Sequence, residues 1–247
     1  MTENYETKPG VRIPSQQDNL PKRFYESVTV EAVDDAFEVR LDGRGVKTPG
    51  RNAAIMPTQA LAKALAEEWA AQGERIDPMS MPMTRLSYVT LDRLDIPATV
   101  AEITKYASTD LLCFRAPEPD DLVAAQAAAW DPLLSWAEEA LGAHLVPATG
   151  VLPIDQDPVA LTLIHNRAGE LDRWRLTALA QATALTGSAV LGFALLEKRI
   201  SGEQAFALST LDEHYQASHW GEDAEAKERL DNLKIEILAV ERLLDAL

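Results

Sequence analysis

Between residues 25 and 48, apolar and polar side chains alternate. Val28 and Val30 interleave with Thr29 and Glu31, and Phe37-Glu38-Val39-Arg40-Leu41 repeats at period two. That is the spacing of strands with one buried face. Asp34-Asp35 separates the runs as a turn, which predicts strands from Tyr25 to Val33 and from Phe37 to Leu41. Asp42-Gly43 then reads as a tight hairpin turn, because both central residues of such a turn need positive φ. Gly45-Val46-Lys47-Thr48 is the predicted returning strand. Beyond Pro57 the period becomes helical. Leu61, Leu65 and Trp69 share one face, with Thr58 as cap and Gly73 as stop. This predicts a helix from Gln59 to about Gln72. Pro97 opens another, reaching about Ala107.

From Asp120 onward almost every segment has helical period. Asp120 to Trp130 is predicted as one helix, and Asp131-Pro132 as the start of the next, with Asp131 as cap and Pro132 in the first helical position. His144 to Thr149 is an extended interruption. Helices follow at about 158–168, 170–186, 188–198, 202–217 and 223–246, with Ser201 and Gln204 in capping-box spacing. Gly221 ends one helix, and Glu222 and Asp223 begin the next. The expected class is α+β: a flexible arm over 1–22, a β-rich domain with packed helices over 23–117, and an all-helical domain over 118–247. Pro117 and Pro119 mark the link between the two domains. No period of 20–50 residues indicates a solenoid.

Charge sharpens this division. The 247 residues carry 23 Lys and Arg against 39 Asp and Glu, a net charge of −16. Residues 1–115 hold 14 basic and 17 acidic side chains, a net of −3, and residues 116–247 hold 9 and 22, a net of −13. An acidic chain of this kind excludes nucleic acid and anionic membranes as main partners. No apolar run is long enough to insert in a membrane. The one cysteine, Cys113, forms no internal disulfide, which fits a reducing compartment. Residues 1–23 lack a signal core and contain Glu3, Glu6 and Asp18, which transit peptides avoid. The expected location is therefore bacterial cytoplasm, or the sequence is the mature form of an organellar protein. The apolar share of 47% supports a core that needs no metal or disulfide staple.

Catalytic signatures are weak. Gly43, Gly45 and Gly50 follow a strand, but with neither dinucleotide-loop nor P-loop spacing, so they read as a hairpin. His214 and His219 are five apart and do not share a helix face for chelation, and no cofactor or metal is expected. Cys113 lies in the apolar run Leu111-Leu112-Cys113-Phe114 and reads as a core residue. The acidic residues Glu213, Glu222, Asp223, Glu225 and Glu228 cluster around Trp220. Two readings fit them: first-turn acids complementing a helix dipole, or a recognition surface in which carboxylates orient a partner and Trp220 anchors it.

Several segments together resemble a known family. They include Arg23-Phe24-Tyr25, Leu41-Asp42-Gly43-Arg44-Gly45-Val46-Lys47-Thr48-Pro49 and Glu68-Trp69-Ala70-Ala71-Gln72-Gly73-Glu74. Met81-Pro82-Met83-Thr84-Arg85-Leu86, Thr109 to Arg115, Trp130 to Leu134 and Trp220-Gly221-Glu222-Asp223-Ala224-Glu225 follow in order. The chain is similar to the assembly chaperones for the α subunit of the F-type ATP synthase catalytic head, found in mitochondria and alphaproteobacteria. The resemblance implies a non-enzymatic protein of two domains, and a monomer is expected. Such a protein binds the unassembled α subunit and prevents its aggregation until the β subunit replaces it. It also implies that an acidic residue just after Trp220-Gly221, either Glu222 or Asp223, matters for function. The implied partner-binding set is Glu213, Trp220, Glu222, Asp223 and Glu225. In eukaryotic relatives the location would be the mitochondrial matrix. The competing reading is an enzyme with a small-molecule site in the cleft between the two domains.

Overall fold

The computed structural model describes residues 20–150, 154–221 and 223–247. Most of the predicted arm, residues 1–19, therefore lies outside the described residues. Leu20 to Lys22 run beside the segment after the first helix: Lys22 bridges to Arg75, and Ile76 N–H donates to Pro21 O at 2.9 Å.

A small antiparallel sheet comes first. Strands β1 (Val28–Val33) and β2 (Ala36–Leu41) pair from Val28↔Leu41 to Val33↔Ala36. The short strands β3 (Arg44–Gly45) and β4 (Ile55–Met56) both pair with β2. Asp42 and Gly43 take φ of 48° and 75°, as the tight turn requires. Asp42 also organises the strand entry. Its carboxylate accepts from Ser27 N–H at 2.8 Å, Ser27 Oγ at 2.9 Å and Glu26 N–H at 3.1 Å. The returning strand is shorter than the pattern predicts. After Gly45 one backbone bond, Val46 N–H to Val39 O at 2.9 Å, still reaches β2, and Lys47 then forms an isolated bridge to Ala53.

Helix α1 (Gln59–Ala70) covers the sheet, capped by Thr58, which accepts from Leu61 N–H at 3.1 Å. The helices α2 (Pro82–Asp92) and α3 (Ile96–Ser108) follow. Helix α2 is absent from the periodicity reading. Its start carries no capping side chain of its own; Glu68, buried in α1, supplies the cap from a distance. The Glu68 carboxylate accepts from Met83 N–H and Thr84 N–H, each at 2.8 Å, and from Thr84 Oγ1 at 2.7 Å. At the other end of α2, Asp92 fastens the loop after β3, taking bonds from Thr48 Oγ1, Gly50 N–H and Asn52 Nδ2.

The remaining elements are helical apart from one parallel pairing. Strand β5 (Phe114–Arg115) pairs with β6 (Ala148–Thr149), across the long helix α4 (Asp120–Leu141). Two expectations are corrected here. First, Asp131 does not cap a new helix: α4 runs unbroken through Pro132. An internal proline costs about 3 kcal/mol. Trp130, Leu133, Leu134 and Ala137 are all buried on the continuing helix, and large apolar side chains contribute about 1.5–3 kcal/mol each on burial. Packing outweighs the break. Second, the predicted helix 202–217 is two helices, α8 (Gly202–Ser209) and α9 (Leu211–Trp220). The buried Trp130 indole donates to Leu208 O at 3.0 Å, and Thr210 leaves helical geometry at φ −113° and ψ 20°.

Between these lie α5 (Pro158–Gly169), α6 (Arg173–Thr186) and α7 (Ala189–Leu196), and the chain ends with α10 (Ala224–Ala246). Helix α7 is buried from Ala189 to Leu195, as expected for a segment that is apolar all round. It packs closely on α6 at Gly192, where a Cβ would lie 2.5 Å from Thr183 Oγ1. Helices α2 and α3 both pack on α6, and α10 crosses α8, α6, α2 and α1. One contiguous core therefore runs from Val39 and Leu61 through Ile103 and Trp130 to Phe193 and Val240.

Candidate functional site

The corner between α9 and α10 stands apart from this core. No residue of α9 is buried, and the first buried side chain of α10 is Leu230. Half-buried Leu211 packs the start of α9 on the core, and polar and ring contacts hold the rest. Gln126 Nε2 donates to Asp212 Oδ1 at 2.8 Å, and Tyr215 OH donates to Asp121 Oδ1 at 2.8 Å. His214 meets the Phe206 ring edge-to-face, with centroids 5.8 Å apart. The Tyr215 hydrogen bond holds the Asp121 carboxyl below its ordinary range and raises the Tyr215 phenol.

The helix ends at Gly221, at φ 91° and ψ 159°, a conformation open to glycine alone. Asp223 caps α10, its carboxylate accepting from Ala226 N–H at 3.4 Å, and Asp223 O accepts from Lys227 N–H at 2.9 Å. The capping reading of Asp223 therefore has its geometry. Glu222 lies outside the described residues.

Trp220 projects from the tip and is 77% exposed, an unusual position for so large an apolar side chain. Rings lead up to it: Tyr215 and His219 centroids are 4.3 Å apart, and His219 and Trp220 centroids 5.9 Å. His219 Nδ1 is within 2.9 Å of Tyr215 O and 3.0 Å of Ser218 Oγ, so its contacts are local. Among the predicted site residues, Trp220, Asp223 and Glu225 share the exposed corner. Glu213 does not sit with them. It lies seven residues back along α9, about 10 Å in axial rise, and faces Arg229 of α10 at 3.8 Å. Glu213 clasps the two helices rather than extending the free surface.

Two buried carboxylates, Asp110 and Glu68, are structural. Asp110 is fully buried and receives Leu112 N–H and Val190 N–H, each at 3.1 Å, so that it joins the end of α3 to the start of α7. Burial pushes its pKa up to about 6, against the pull of its donors. Burial likewise raises Glu68. Cys113 is buried and its thiol is pushed up to about 12, which keeps it protonated and unreactive. Among the described residues no group of three or more His, Cys, Asp or Glu side chains converges on a metal-sized site, and no helix is long and apolar enough to cross a membrane.

The chain as a whole is similar to known proteins. The family model for the ATP12 chaperone protein matches residues 22–138. The crystal structure of Atp12 from Paracoccus denitrificans superposes with a TM-score of 0.85 at 40% identity, covering 92% of this chain and 98% of that one. A mutant of P. denitrificans Atp12p superposes with a TM-score of 0.85 at 39% identity, covering 92% and 97%. Protein atp12, mitochondrial, from Schizosaccharomyces pombe is 24% identical over 242 residues, which span 92% of this chain and 82% of that protein.

Proposed function

This chain belongs to the ATP12 chaperone family, and we propose that it holds the unassembled α subunit of the F-type ATP synthase catalytic head until the β subunit takes its place. The surface it uses is the α9–α10 corner, with Trp220 as anchor and Glu222, Asp223 and Glu225 as orienting charges. The observation that carries this is the exposure of Trp220 at the end of a helix with no buried residue. An obligate interface left open is a large apolar patch and an aggregation hazard. A chaperone must cover such a patch and still yield it, and charged contacts select a partner without demanding extreme affinity.

The test separates charge from capping. Asn caps helices as well as Asp, so Asp223→Asn removes charge and keeps the cap. Combined with Glu222→Lys and Trp220→Ala, it is expected to leave thermal unfolding close to wild type and to abolish suppression of α-subunit aggregation. Light scattering of purified α subunit, with and without the chaperone, reads the effect. If the triple variant suppresses aggregation as well as wild type does, the corner is not the client surface.

A further inference from the structure

At the opposite end of the sequence, the sheet carries a cleft whose chemistry is the reverse of the molecule's. It measures about 580 Å³ and is walled by Phe24, by Leu41 and Val46 at the β2–β3 turn, and by Trp69 near the end of α1. Phe24 is 73% exposed, second only to Trp220 among the large exposed apolar side chains of the described residues. The Trp69 indole N–H is buried without an acceptor. The cleft is thus lined by one half-buried ring, Trp69, and one largely exposed ring, Phe24.

The rim is basic. Arg44 and Lys47 line the cleft, both are exposed, and neither side chain has a hydrogen bond or ion pair among the described residues. Asp42, the carboxylate lining the same cleft, is already engaged by Ser27 and the Glu26 amide. Lys22 and Arg23, just before Phe24 in sequence, line an adjoining open cleft with Arg75, beside Glu26 and Glu74. On a chain of net charge −16, two unpaired cations beside the exposed Phe24 ring and the half-buried Trp69 ring are a local inversion of the field.

We propose that this cleft docks a segment of the client polypeptide in which a large apolar side chain is flanked by carboxylates. The proposal rests on the chaperone reading above and adds a second contact to it. The apolar side chain lies between Phe24 and Trp69, and the carboxylates meet Arg44 and Lys47. Charge complementarity favours this occupant, because an acidic segment is repelled by most of the remaining surface. With the acidic corner taking one part of the client and the basic cleft another, two weak contacts fix the client's orientation and gain avidity while each remains individually reversible.

Full-length protein is titrated into fluorescein-labelled peptide Glu-Asp-Phe-Asp-Glu, with Glu-Asp-Ala-Asp-Glu as the anchor-free control, and followed by anisotropy. The expected result is binding of the first peptide and a shift of the Trp69 indole N–H resonance in nitrogen-edited NMR. Arg44→Glu with Lys47→Glu is expected to weaken that binding about tenfold or more, like-charge juxtaposition being strongly unfavourable, without changing thermal unfolding. The same pair is expected to impair suppression of α-subunit aggregation. Equal binding of both peptides, or equal binding by wild type and the double reversal, overturns the cleft. If wild type fails to suppress α-subunit aggregation, the chaperone reading falls while the peptide arm still decides the cleft. If wild-type protein self-associates in sedimentation and the double reversal makes it monomeric, the occupant is the acidic corner of a second copy and the client proposal is overturned.

Discussion

A single carboxylate shows how far environment outweighs residue type in this chain. Asp110 has no solvent contact, and its pKa of about 6 lies above the ordinary value of 3.8. The folded form therefore holds its proton at pH values where the unfolded chain has lost it. The stability this contributes is fully present below about pH 4 and is lost as the pH rises through about 6. Asp42, Asp92, Asp121 and Asp172 are shifted downward by hydrogen bonds and have the opposite sign. Total stability therefore masks the effect, and a difference reveals it. Wild type minus Asp110→Asn, measured by urea unfolding from pH 4 to pH 7.5, is expected to fall by up to about 3 kcal/mol, since each tenfold change in an acid constant is worth about 1.4 kcal/mol. A flat difference means that Asp110 titrates as an exposed carboxyl does.

At the level of elements, the legible features were those whose signal is local. The Asp42-Gly43 turn, the Thr58 cap, the Ser201 and Gln204 capping box and the apolar face of α1 all lie within a few residues of what they determine. The misread boundaries depend on distant partners. Helix α2 starts on a cap from Glu68, fifteen residues away. The break at Thr210 accompanies the Trp130 indole reaching Leu208. Pro132 is tolerated because its neighbours are buried in a core that periodicity alone does not place. The corner was legible in part: Gly221 and Asp223 announce a helix boundary, whereas the pairing of Glu213 with Arg229 needs the fold. The cleft beside Trp69 was not legible, since it joins Phe24, the β2–β3 turn and the end of α1. The cap at the corner supports a local prediction. Asp223→Ala is expected to cost about 1 kcal/mol in the first turn of α10, seen as roughly fivefold faster amide exchange at Ala226 and Lys227. Asp223→Asn is expected to leave exchange unchanged. Equal acceleration in both variants would show that the charge near the helix dipole, not the side-chain hydrogen bond, holds that turn.

For the molecule as a whole, one core unites the sheet with the helices, yet charge is divided unequally along the chain. Many acids of the helical part are matched locally: Asp131 with Arg115, Glu236 with Arg85, Asp245 with Lys198, Glu203 with Lys234. What these pairs leave over is a field, and a field acts on approach more than on final affinity. At 0.1 M salt such a field decays over about 10 Å, so it guides a partner only in the last stage of encounter. If the α9–α10 corner receives a basic region of the α subunit, the association rate should fall at least about tenfold between 0.05 and 0.5 M salt, within the range of steered encounters. The dissociation rate, set by the desolvated contacts of Trp220, should change far less. Stopped-flow association with labelled α subunit across that range measures both. A salt-independent association rate would mean that the −13 net charge of residues 116–247 serves solubility alone and that apolar contact governs recognition. A rate that rises with salt would mean that client and chaperone repel one another and that the acidic corner faces away from the interface.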